Sequence, residues 1–110
     1  MQPRESAMRD PTHRTERLAD AIRQELGELI EYEVKDPRIG FATVTAIELS
    51  ENLRRVRVLV RVPGDEQQKR TSLARLAAAE GFLRHELALR LALQRTPAIS
   101  FHLDQASAEP

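Results

Sequence analysis

Between Arg55 and Val62 the chain alternates without a break: Val56, Val58, Val60 and Val62 take every second position, with Arg55, Arg57, Leu59 and Arg61 between them. Successive side chains of a β-strand point to opposite faces, so this segment reads as a strand with one apolar face. Its other face carries three guanidinium groups, directed away from the core. The valine face needs a second layer to cover it, and the rest of the sequence supplies helices for that layer.

Leu18, Ile22, Leu26, Leu29 and Ile30 fall at helical spacing and form one stripe, while Glu16, Asp20, Glu25, Glu28 and Glu31 occupy other faces. Asp10-Pro11 resembles the start of this helix, with Thr12 a rival cap. The helix should end before Pro37, because the residue ahead of a proline is pushed toward extended geometry. Asp36-Pro37-Arg38-Ile39-Gly40 then reads as a turn-rich connection, Phe41 to Leu49 as a strand, and Ser50-Glu51-Asn52 as a turn into the valine strand.

Pro63-Gly64 ends that strand, and Asp65 with Gln68 three residues on resembles a capping box. Leu73, Leu76, Leu83, Leu87 and Leu91 carry a helical stripe from there to about Gln94, with Gly81 in its middle. A glycine inside a helix costs about 1 kcal/mol relative to alanine and permits a kink or a close backbone approach. The run is therefore expected to bend at Ala79-Glu80-Gly81. After Thr96-Pro97, the residues Ile99, Phe101 and Leu103 alternate as a last short strand.

The order is α-β-β-α-(kink)-α-β. It implies an α+β fold, a three-stranded sheet with helices packed on one face. One domain is expected over residues 12–104, with flexible tails at 1–11 and 105–110.

The 110 residues sum to zero net charge, but the charge is polarised along the chain. From Asn52 to Thr96 ten basic residues face four acidic ones, a surplus of six, whereas residues 1–35 hold six basic and eight acidic residues, a deficit of two. A basic half-domain is a candidate polyanion surface, and the bland alternative is a set of solvated faces. Fifteen of the seventeen basic residues are arginine, which suits bidentate phosphate contacts. The candidates for RNA binding are Arg55, Arg57 and Arg61 on the strand, with Lys69, Arg70, Arg75, Arg84 and Arg90 on the kinked helix pair. Asp36, Pro37 and Arg38 form a loop motif expected to be held by capping or an ion pair.

No segment approaches the roughly 18 apolar residues of a membrane span, and the first ten residues do not form a secretory signal. With no cysteine, disulfides and thiolate sites are excluded. The three histidines, His13, His85 and His102, lack metal spacing, and neither a glycine-rich phosphate loop nor a catalytic set is legible. The expectation is a cytoplasmic, monomeric binding protein with no cofactor, no metal and no catalytic residues. Phe41, Phe82 and Phe101 sit on apolar positions and are expected in the core, so that recognition would rest on RNA shape and backbone.

The element order is that of a type II, bacterial-type KH domain. A usual KH domain clamps nucleotide backbone with a Gly-x-x-Gly loop between its central helices. Here Ala79-Glu80-Gly81 stands in that place, which resembles the ribosome-binding factor A family. Arg14-Thr15-Glu16-Arg17-Leu18, Lys35-Asp36-Pro37-Arg38-Ile39-Gly40-Phe41, Thr43-Val44-Thr45, Gly81-Phe82-Leu83-Arg84 and Pro97 with Phe101 agree with that family. Glu80 departs from it, since a small residue is more usual there, and it adds an acid beside a region expected to meet anions. The resemblance implies a non-enzymatic assembly factor that binds the immature 30S subunit and its 16S rRNA near the 5′ end and decoding region. It also implies a part in late maturation, rRNA processing and growth at low temperature. A protein–protein module on the same scaffold and a generic KH-type RNA chaperone are the alternatives.

Overall fold

The computed structural model describes residues 11–105. The tails expected at 1–11 and 105–110, and the Asp10 cap, lie outside that range apart from Pro11 and Gln105. Among the described residues the elements are α1 (Pro11–Glu28), β1 (Thr43–Leu49), β2 (Arg55–Arg61), α2 (Glu66–Ala78), α3 (Glu80–Leu91) and β3 (Ala98–Leu103). β2 is the central strand, antiparallel to β1 and parallel to β3. This is the α+β, KH-like arrangement the element order implies.

α1 opens on Pro11, whose missing N–H costs nothing in the first turn. Its last turn widens into a π-turn over Leu29–Glu33, in which the Val34 N–H reaches the Leu29 carbonyl at 2.9 Å. The wider turn fits the adjacent Leu29 and Ile30 into one buried face beside Ile22 and Leu26. The valines of β2 meet that face: Val56, Val58 and Val60 are completely or almost completely buried, with Leu76, Leu83 and Leu87 closing the core from α2 and α3. Between them, β2 presents Arg55, Arg57 and Arg61 to solvent. α1 packs on β1 and α3, while α2 and α3 pack on β3.

α2 begins with the expected capping box. The Gln68 N–H donates to the Asp65 carboxylate at 2.8 Å, and the Asp65 N–H donates to the Gln68 side-chain oxygen at 2.7 Å. The long helical run does break, but at Ala79 (φ −89°, ψ 4°) rather than at the glycine. Gly81 lies in α3, has no positive φ, and a Cβ placed on it would meet nothing within 4 Å. The bend thus needs no glycine. Its backbone groups stay satisfied, because the Ala79 N–H donates back to Arg75 and Leu76 while its own carbonyl accepts from Leu83.

Candidate nucleic-acid interface

The open sheet face is set by register. Arg57 lies opposite Glu48 on β1 and Ser100 on β3, Arg61 opposite Thr43, and Arg55 opposite Ala98. Arg57 approaches Glu48 at 3.3 Å, with both side chains more than half exposed. Such a pair is worth about 0–1 kcal/mol, so Arg57 is easily released to another anion. Arg55 and Arg61 have no ion pair among the described residues. The face therefore carries a line of available guanidinium groups, spaced about 7 Å apart from Arg55 to Arg57 by strand geometry.

The helical candidates divide differently. Lys69 has no ion pair among the described residues, and the Arg70 guanidinium donates to Gln67 at 3.4 Å. Arg75, however, is bound to Asp36 at 2.8 Å, and Arg90 lies 3.3 Å from Glu25 and 3.7 Å from Glu86. These two hold elements together. Asp36 and Glu25 lie 39 and 65 residues away from them in sequence, which is why pattern alone makes them look like free cations. Arg84 donates to the Thr96 carbonyl at 3.2 Å and lies 3.8 Å from Glu80, which fixes it near the start of β3.

Glu80 has a structural use as well. Its Oε2 accepts the Ile99 N–H at 2.9 Å. The acid that departs from the family pattern is thus occupied by backbone, and it does not stand as a free charge at the kink.

The 36–41 loop is clamped by α2 at two points one turn apart. The Ser72 hydroxyl donates to the Ile39 carbonyl at 2.6 Å, and Arg75 holds Asp36. Asp36 also accepts the Arg38 N–H and Nε, each at 3.0 Å, while the Ile39 N–H closes a turn onto the Asp36 carbonyl at 3.0 Å. The Arg38 side chain first, then Arg75, then the Arg38 N–H hold the Asp36 carboxyl well below the usual carboxylate range.

This loop overturns one expectation. Phe41 is 86 % exposed, and Phe82 is 43 % exposed; Phe101 is partly buried. Ile39, only 3 % exposed, takes the core position that the loop offers, and the chain then turns Phe41 outward. Arg54 and Arg95 also bear on the site, although no motif marks them in the sequence. They share with Arg84 a cleft floored by Leu18, Leu53, Leu93 and Pro97. Basic groups consequently sit at the Arg55 end of β2 as well as along it.

A family model described as ribosome-binding factor A matches residues 14–109, nearly the whole domain. The chain belongs to the ribosome-binding factor A family. The crystal structure of ribosome-binding factor A from Thermus thermophilus is 30% identical with a TM-score of 0.73, over 86% of this chain and 97% of that one. A homology model of the Thermus thermophilus factor, fitted into a cryo-EM map of a complex between the 30S and that factor, is 31% identical with a TM-score of 0.69, over 82% and 94% of the two chains. The solution structure of a Thermotoga maritima candidate member of this family is 31% identical with a TM-score of 0.71, over 77% and 81%. The ribosome-binding factor A fold thus spans the sheet, the bent helix pair and the clamped loop together.

Proposed function

We propose that this member of the ribosome-binding factor A family is a non-enzymatic assembly factor that binds the immature 30S subunit through its 16S rRNA. The single observation that carries the reading is family membership across residues 14–109. The relative fitted into the 30S complex supports it. In this reading the protein acts in the cytoplasm as a monomer, contacts the rRNA near its 5′ end and decoding region, and favours late maturation and rRNA processing, including during growth at low temperature. It shifts a folding equilibrium of the RNA by binding one state more tightly than another.

The geometry supplies a means. Arg55, Arg61, Lys69 and Arg70 are the candidates with no ion pair among the described residues, and Arg57 is held only by the exposed Glu48. Arg84 joins Arg54 and Arg95 at the other end of β2. Binding through four such phosphate contacts would be driven by counterion release, with a log–log salt slope of about −3 to −4. Sedimentation with mature and immature 30S subunits across a salt series tests the reading. Association that favours immature subunits and is abolished by salt is expected. Salt-insensitive binding to a protein, without subunit association, would replace it with the protein–protein module; equal binding to any structured RNA would replace it with a general RNA chaperone.

A further inference from the structure

Phe41 is the most exposed large apolar side chain among the described residues, at 86 %. Its exposure does not come from a loose loop. Ile39 is buried two residues before it, Ser72 holds the Ile39 carbonyl, Arg75 holds Asp36, and Gly40 turns the chain at φ 72°. Only a residue that tolerates positive φ makes that turn cheaply. The ring is thus placed in water by backbone anchored before Gly40 and taken up again by β1 at Thr43, opposite Arg61.

The surroundings of the ring are asymmetric. On the side of α1 it borders a hollow lined by Glu28 and Glu31 together with Arg23, and by Asp36, whose charge is taken up by Arg38 and Arg75. On the side of β2 and α2 it shares a hollow with Arg61, Lys69, Thr43 and Pro63, in which no carboxylate takes part. Neither Arg61 nor Lys69 has an ion pair among the described residues. An exposed aromatic ring on anchored backbone, beside two uncommitted cations, has the composition of a single-strand binding surface, in which a base stacks and the backbone follows the charge.

We propose that Phe41 is a stacking platform for one unpaired RNA base, with Arg61 and Lys69 holding the adjacent phosphates. The proposal rests on the rRNA-binding reading and adds a site to it. The uncommitted cations lie on the β2 side, so the strand leaves the platform along β2, toward Arg57 and Arg55.

Two measurements decide it. The chain contains no tryptophan, so Phe41→Trp introduces a unique fluorophore at the platform. Titrated with a single-stranded oligoadenylate at low salt, its emission should be quenched to saturation, and Arg61→Gln with Lys69→Gln should remove the quenching. In immature 30S binding, Phe41→Ala and Phe41→Leu should each weaken affinity at least tenfold without lowering the melting temperature, whereas Phe41→Trp should bind as wild type. Wild-type affinity in Phe41→Ala, or absent quenching, overturns the platform while leaving salt-sensitive subunit binding intact. Affinity kept by Phe41→Leu also overturns it, since that result marks an apolar contact with a protein. Quenching without any subunit binding supports the platform and removes the ribosomal reading instead.

Discussion

The Glu80 carboxylate accepts the Ile99 backbone N–H at 2.9 Å, joining the first turn of α3 to the outer edge of β3. The preceding N–H, that of Ala98, bonds to the Arg54 carbonyl on the β2 side, so the Ile99 N–H points to the open edge of the sheet. An uncovered edge donor invites another strand. Glu80 occupies it and at the same time attracts Arg84 at 3.8 Å, so the bend in the helical run fixes the position of an arginine through a carboxylate.

Removing that carboxylate should be felt in stability. Glu80→Ala leaves the partly buried Ile99 N–H without its partner, at a cost of about 1–2 kcal/mol. For a domain of this size that corresponds to a fall in melting temperature of about 4–15 °C. Glu80→Gln keeps an acceptor and should lose less than half as much. Equal melting of all three proteins would show that the contact contributes nothing.

Gly81→Ala should do the opposite. The position is helical and exposed, and a Cβ there meets no atom within 4 Å. Alanine should therefore raise stability by up to about 1 kcal/mol, read as a higher urea midpoint with an unchanged slope. A loss of stability would restore the glycine as the source of the bend.

Asp36→Asn should act on the acid limb of stability. Because the folded-state carboxyl titrates well below its unfolded value, its ionised form is bound more strongly in the native state. The resulting stabilisation is complete above the unfolded pKa of about 3.9 and is lost as pH falls from there through the lower folded value. Wild type should be the more stable protein at pH 7, and the gap to Asp36→Asn should narrow by pH 3 and close further below it. Urea midpoints across that range check this; a constant gap would remove the linkage.

Arg90→Glu should unfold before it unbinds. The replacement would set a third carboxylate among Glu25 and Glu86, where Arg90 now sits 3.3 Å and 3.7 Å from them. A stability loss of about 1 kcal/mol or more is expected, with subunit affinity per folded molecule unchanged. A native melting curve with lost affinity would move the interface to α3.

Local rules make much of this molecule legible. The alternating valines, the leucine and isoleucine stripe of the first helix, and the Asp65–Gln68 box each act within one element, and each stands where its pattern puts it. What stays hidden depends on contacts between distant segments. Asp36 finds Arg75, and Glu25 finds Arg90, only after the layers assemble, so the sequence does not show that these two candidate cations are ion-paired within the fold. Phe41 departs from expectation for a related reason: hydrophobicity marks it as core, but its loop has one core position and Ile39 fills it. The bend at Ala79 has no residue preference strong enough to announce it, and the nearby glycine carries the more conspicuous signal.

In the proposed reading the open sheet face meets rRNA phosphate through Arg55, Arg57 and Arg61. Its most direct test is the salt dependence of affinity for immature 30S subunits, compared between wild type and the triple variant Arg55→Gln, Arg57→Gln, Arg61→Gln. Loss of three phosphate contacts should make the log–log slope shallower by about 2–3 and weaken binding at low salt, with the fold intact by circular dichroism. A folded triple variant with the wild-type slope would show that these arginines meet no phosphate.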